Sequence, residues 1–161
     1  MISMARFITL WGEDDYPPEK VTVRALAQAE AELSFQFPDD YRQAVLTYGL
    51  PRTTFDLMNS AAEQDFDDRN YVQAINDFLS PDGIVQTTRT WREIGLPAGL
   101  VAIGSDPSGN LFCFPIAASA YPPGSVQLWL HDFDDVTHVA DSFEDWLDAM
   151  CRIRFIEDDE D

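Results

Sequence analysis

The sequence predicts an α+β fold, with a mainly antiparallel sheet of about four to six strands packed against helices. Three observations carry this. Residues 22–49 hold two successive blocks with helical apolar spacing, and residues 142–150 hold a third. Between residues 100 and 140 the character changes to short apolar runs broken by turn formers, the pattern of a sheet joined by tight connections. The chain has 161 residues, 45% of them hydrophobic, enough for one ordinary domain with a substantial core. No internal repeat or Pro/Gly/Ser-rich linker divides it. Residues 1–156 are therefore read as one domain and 157–161 as an acidic tail.

The elements follow in order. The apolar segment Arg6 to Trp11 is read as a short strand. Glu13-Asp14-Asp15-Tyr16-Pro17-Pro18 is an exposed extended loop, because paired prolines resist helix and sheet alike. Thr22 can cap a helix in which Leu26, Ala29, Glu30, Leu33 and Phe37 recur at helical spacing. Pro38 suits the first position of the next helix, where its missing N–H costs nothing, and Asp39 and Asp40 suit the positive end of the dipole. Tyr41, Val45 and Tyr48 form its apolar stripe, and Gly49 supplies the stop. Asp65, Asp67 and Asp68 mark a polar loop. Tyr71 to Leu79 fits a helix or a buried strand. Ile84, Thr88, Trp91 and Ile94 make a helix closed by Gly95 and Pro97. Leu100 to Ile103 and Leu111 to Ile116 are strands joined through the Asp106-Pro107-Ser108-Gly109-Asn110 turn. Val126 to His131 is a third strand and Val136 to Ala140 a fourth. Ser142-Phe143-Glu144-Asp145 resembles a capping box opening a last helix, with Phe143, Trp146, Leu147 and Met150 on one face.

Charge limits the function classes. Ten basic against 29 acidic residues leave a net charge of −19. A nucleic-acid binder is disfavoured, because phosphate attraction needs a basic footprint. A cationic protein partner fits the surplus, and hydration alone is the plainer alternative. The carboxylates group as Glu13, Asp14 and Asp15, then Asp65, Asp67 and Asp68, then Asp132, Asp134 and Asp135, and these nine are the candidate partner-binding residues. No apolar stretch is long enough to span a membrane, and no basic segment followed by a long apolar run opens the chain, so a membrane partner is not expected and the cytoplasm is the expected compartment.

Catalytic chemistry finds little support. His131-Asp132 resembles the phosphohydrolase HD pair, yet that metal site needs further histidines, and only His138 remains. Cys113 and His131 could be drawn as nucleophile and base, but Cys113 sits between two phenylalanines, where a thiolate is disfavoured. Cys113 and Cys151 read as buried small hydrophobes, with neither disulfide nor metal spacing. Asp132-Phe133-Asp134-Asp135 opens like a calcium loop, but the loop glycine is missing and position twelve is Phe143. No phosphate-binding glycine motif occurs. Trp11, Trp91, Trp129 and Trp146 are expected core anchors. No enzyme, metal site or cofactor is expected.

The order of these signals resembles the SUKH superfamily, which includes bacterial immunity proteins and a fungal cell-wall assembly regulator. The blocks are Leu26-Ala27-Gln28-Ala29-Glu30-Ala31-Glu32-Leu33, then Phe37-Pro38-Asp39-Asp40-Tyr41-Arg42 running to Tyr48-Gly49. Leu96-Pro97-Ala98-Gly99-Leu100-Val101-Ala102-Ile103-Gly104 follows, with the Asp106 to Asn110 turn and Ser142-Phe143-Glu144-Asp145-Trp146-Leu147. Family members often carry Leu-Pro before the second helix and Asn-Gly after it, where this chain has Phe37-Pro38 and Tyr48-Gly49. Both changes keep the physical role. The resemblance implies an antiparallel sheet packed against helices and favours a strand for Tyr71 to Leu79. It also implies an immunity protein that binds and neutralises a cognate toxin domain, often a nuclease, and the negative charge adds that this toxin is basic. A non-catalytic intracellular interaction or regulatory module is the alternative.

Overall fold

The computed structural model describes residues 2–65 and 71–157. Its elements run α1 (Ile2–Trp11), α2 (Val23–Leu33), α3 (Asp39–Tyr48), α4 (Phe55–Ala62), β1 (Asp77–Phe78), α5 (Pro81–Arg92), β2 (Leu100–Ser105), β3 (Leu111–Pro115), β4 (Val126–Leu130), β5 (Asp135–Ala140) and α6 (Phe143–Cys151). The five strands form one sheet in the order β1-β2-β3-β4-β5, every neighbour antiparallel. This is the predicted α+β architecture.

Strand side chains alternate between two faces, and both faces are covered. Val101, Ile103, Phe112, Phe114, Val126 and Leu128 enter the main core beneath the helical layer of α1, α3 and α6. Leu100, Ala102, Leu111, Cys113 and Trp129 face the other way, into a smaller core closed by Leu96, Trp91 and Tyr121. Burial on both sides explains why β2 and β3 read as unbroken apolar runs rather than as alternating ones.

Tyr41 ties three elements together. Its ring stacks on Phe37 at 5.1 Å and meets Phe114 and Phe143 edge-on at 5.2 and 5.1 Å. Aromatic pairs in that arrangement add roughly 0.5–1.5 kcal/mol each beyond area burial. α6 is capped twice. Asp145 donates its N–H to Ser142 Oγ at 3.0 Å, and Glu144 donates its N–H to Asp40 Oδ2 at 3.0 Å. The carboxylate that opens α3 thus also serves the positive end of α6.

Three expectations change. Arg6 to Trp11 is helical rather than a strand, so a helix precedes the two consecutive ones. Its β-rich composition hid the spacing of Met4, Phe7, Ile8 and Trp11, the face that packs on α6. Trp11 Nε1 donates to the Met150 carbonyl at 3.0 Å. The second helix ends at Leu33 instead of reaching Phe37. Ser34 takes a left-handed conformation (φ 49°) and its N–H closes on the Glu30 carbonyl. Phe37 is then held by its N–H on Glu30 Oε2 at 2.9 Å, which Arg42 also reaches. Tyr71 to Leu79 is mostly irregular, with only Asp77–Phe78 a strand. Its backbone is secured by side chains: Gln64 bonds both the N–H and the carbonyl of Val72, and Trp146 Nε1 donates to the Gln73 carbonyl at 2.8 Å.

The two sheet edges differ. β1 is two residues long, and α5 closes the edge of β2 beyond it. Thr88 Oγ1 accepts from the Ala102 N–H at 3.0 Å, while Arg92 donates to the Ala98 and Leu100 carbonyls at 3.0 Å. β5 forms the opposite edge. Among the described residues no backbone hydrogen bond reaches its outer side.

Candidate functional site

Trp129 organises the surface around the β4–β5 connection. It leaves β4 toward the smaller core and is almost wholly buried. Gly95 lies against its ring: a Cβ there would come within 3.4 Å of Cζ2, and the Gly95 φ of 131° suits glycine alone. Trp91 meets the indole edge-on at 5.6 Å. At the rim, Trp129 Nε1 donates to Asp134 Oδ1 at 3.3 Å, with Asp134 in the left-handed region at φ 48°. One indole therefore holds the segment after α5 and the β4–β5 connection side by side.

His131 lies beside both tryptophans, 5.6 Å from Trp91 and 6.3 Å from Trp129. Its Nδ1 stands 2.9 Å from Asn110 Oδ1, and Asn110 Nδ2 donates to Asp106 Oδ2 at 2.9 Å. Because the Asp106 carboxylate only accepts, this orients the Asn110 amide and places the proton on His131 Nδ1. Asp106 Oδ1 also accepts from the Ser108 and Asn110 N–H groups. The Asp106 to Asn110 segment is a self-satisfied turn that braces the histidine from the next connection of the sheet.

On this frame two large apolar side chains point outward, Phe133 at 80% and Ile94 at 65% exposure. Carboxylates flank Phe133 along the chain, each with its own contact. Asp132 lies 3.3 Å from His131 Nε2, an ion pair only when the ring is protonated. Asp134 holds the Trp129 indole, and Asp135 accepts the Val136 N–H at 2.9 Å. These separate attachments do not converge on a common point as a calcium loop requires. Among the described residues no group of three or more His, Cys, Asp or Glu side chains is placed to hold a metal ion.

The sequence-derived clusters occupy separate places. Glu13 is half-buried with its N–H on the Arg52 carbonyl, and Asp14 and Asp15 are exposed. The Arg52 guanidinium lies 4.2 Å above the Tyr16 ring, so a cation accompanies this cluster. Asp65 is exposed at the cleft beside β5, while Asp67 and Asp68 lie outside the described residues. Among the described residues no hydrogen bond or ion pair joins the first cluster to Asp132, Asp134 and Asp135. The third cluster sets its carboxylates beside the outward Phe133 on a frame braced by Trp129 and His131, while the first lies beside the half-exposed Tyr16.

Sequence reasoning passed over Ile94 and Phe133, and it passed over a broader signal. All ten basic residues lie at or before Arg92 or at or after Arg152. From Glu93 to Cys151, which takes in β2 to β5 and α6, there is no Lys or Arg. Nine carboxylates stand there: Glu93, Asp106, Asp132, Asp134, Asp135, Asp141, Glu144, Asp145 and Asp148. Among the described residues Arg6 and Arg152 pair with Asp148, at 3.6 and 3.0 Å, and Arg152 and Arg154 line the cleft beside β5.

Cys113 is fully buried, and burial pushes its thiol well above the usual range. Its Sγ–H donates to the Leu111 carbonyl at 3.4 Å, so it is packed in the smaller core and not paired with His131. The surface offers buried anchors, exposed hydrophobes and negative charge, which is the equipment of a protein-binding face.

The family described as SMI1/KNR4 (SUKH-1) matches residues 20–149, from the cap of α2 to the last turns of α6. No curated protein matches the chain. Among the described residues no helix is long and apolar enough to cross a membrane.

Proposed function

Because the chain belongs to the SMI1/KNR4 (SUKH-1) family, we propose that it is a cytoplasmic, non-catalytic immunity protein that binds and neutralises the basic toxin domain of a bacterial competition system. The carrying observation is the unbroken absence of Lys and Arg from Glu93 to Cys151, centred on the face where Phe133 and Ile94 stand out among Asp132, Asp134 and Asp135. A toxin that cleaves nucleic acid must itself attract phosphate, so its active surface is cationic. A carboxylate face competes for that surface, speeds encounter, and excludes the substrate once docked. Phe133 and Ile94 supply the apolar contact that slows release. Glu13, Asp14, Asp15 and Asp65 contribute to the long-range field in this reading, as do Asp67 and Asp68 through their charge alone.

The test is co-expression with the toxin domain encoded beside this gene. The chain is expected to protect the cells and to co-purify with the domain at low salt. Replacement of Asp132, Asp134 and Asp135 by Asn should slow association on the order of tenfold at low ionic strength, with a smaller effect on dissociation. Failure of the chain both to protect the cells and to capture any co-encoded toxin domain would overturn the proposal.

A further inference from the structure

We infer that the outer edge of β5 accepts an extended, lysine- or arginine-bearing segment of the toxin as an additional antiparallel strand. This rests on the immunity reading and names the mode of binding.

The outward backbone groups follow from the ladder. The Ile116 N–H donates to the Gly99 carbonyl at 2.8 Å, which sets the alternation through Leu100↔Pro115, Ala102↔Cys113, Cys113↔Gln127 and Leu128↔Thr137. Counting across, the backbone of Thr137 faces β4, and the N–H and C=O groups of Val136 and His138 face away from the sheet. Two contacts agree with the count. The Ala102 N–H, outward on the other edge, goes to Thr88, and the Val136 N–H goes to Asp135 Oδ1 instead of to a strand. This leaves the Val136 carbonyl and both backbone groups of His138 without a hydrogen-bond partner among the described residues.

The edge is held ready. Gln127 Nε2, buried, contacts His138 Nδ1 at 3.0 Å and donates to Ser125 Oγ at 2.8 Å, and His138 Nε2 contacts Asp141 Oδ1 at 2.9 Å. The neutral histidine with its proton on Nε2 satisfies both neighbours, so this side chain is tied down and the backbone beside it stays exposed. The edge borders a cleft whose walls include Gln64, Tyr71, Val72 and Arg154.

Charge selects the occupant. Asp132, Asp134 and Asp135 precede or begin the strand, and Asp141 and Asp145 follow it. A second copy laid antiparallel would bring these carboxylates face to face, which is repulsive, so the same charges that deter self-pairing favour a cationic strand. Natural edges are commonly covered, as α5 covers the opposite one here. Strand addition supplies affinity from main-chain hydrogen bonds, and the adjacent Phe133 face supplies selectivity.

Two measurements on the full chain test this. The first is fluorescence anisotropy with a nine-residue peptide of alternating Lys and Val, beside a twin N-methylated on alternate backbone nitrogens at equal charge. Binding at least tenfold weaker for the twin is expected, whereas equal binding of the two would mean charge attraction only and would overturn the proposal. The second is amide exchange with the co-encoded toxin domain. Protection of the His138 amide in the complex is expected. A toxin complex that leaves that amide exchanging as in the free chain overturns strand addition while the immunity reading stands. Absence of any toxin complex, with the peptide pair still discriminating, overturns the immunity reading and leaves the edge as a strand acceptor.

Discussion

Cys113 shows how burial converts an apparent nucleophile into packing. Its thiol, ordinarily near 9.0, is pushed up because the apolar core disfavours a thiolate, and Arg92 only partly offsets this. A folded value above the unfolded one means that folding holds the proton. That contribution is complete below about pH 9 and declines above it by roughly 1.4 kcal/mol per pH unit. Urea melts should therefore lose stability from pH 9 upward, and Cys113→Ala should lose less over pH 9–10, whatever cavity cost it carries at neutral pH. Tyr41, ordinarily near 10.0 and likewise raised by burial, adds to the decline above pH 10. At pH 8 the Cys113 thiol should react with a thiol reagent only after unfolding; modification at the rate of an unfolded peptide would contradict its burial. Phe133 lies at the other extreme. Phe133→Ala should leave the melting temperature nearly unchanged and raise the dissociation rate from a bound toxin domain about tenfold, as expected for an exposed apolar contact. The local sequence separates the two cases only in part: Cys113 lies in an apolar run and Phe133 among aspartates, but how completely each is covered is set by the tertiary surroundings.

Elements were legible where chemistry is local. Thr22 and Ser142 each accept an N–H three residues on, and turn residues delimit β2, β3 and β4. α1 was not legible, because no capping signal announces it and its β-branched and aromatic residues compete with a helical spacing that only tertiary packing, chiefly on α6, rewards. The sealing of the β2 edge by α5 was equally hidden, since Thr88 looks like one more polar helix residue until Ala102 is placed beside it. Thr88→Val keeps the shape but strands the buried Ala102 N–H. It should cost about 1–3 kcal/mol in a urea melt, with Thr88→Ser closer to wild type. Equal stability of the valine variant would remove the sealing role. Ser142→Ala should cost about 1 kcal/mol, the usual value of an N-cap.

At the scale of the whole molecule, the charge of −19 was plain from composition, and so was its preference for cationic partners. Where that charge acts was not, because a face is assembled from residues distant in sequence: the segment after α5 is brought beside the β4–β5 connection by the contacts of Gly95 with Trp129 and of Trp91 with Trp129 and His131. Self-repulsion should make the free chain more stable as salt rises. Going from about 20 mM to about 500 mM NaCl shortens the screening length several-fold and should raise the melting temperature by a few degrees. The same change should slow capture of a cationic toxin domain. Opposite responses of stability and association distinguish a docking field from charge that serves hydration alone, for which capture would be indifferent to salt.

The packing of α1 on α6 carries a further consequence for how the chain comes into being. Met4, Phe7 and Trp11 leave the ribosome well ahead of α6, and the Met150 carbonyl that receives the Trp11 indole is made on the order of ten seconds later at ordinary elongation rates. Throughout that interval the part of this helix that packs on α6 stays uncovered. Maturation is thus a closing act rather than a gradual one, and a nascent chain stalled before residue 143 would be a natural client for the chaperones that wait at the exit tunnel.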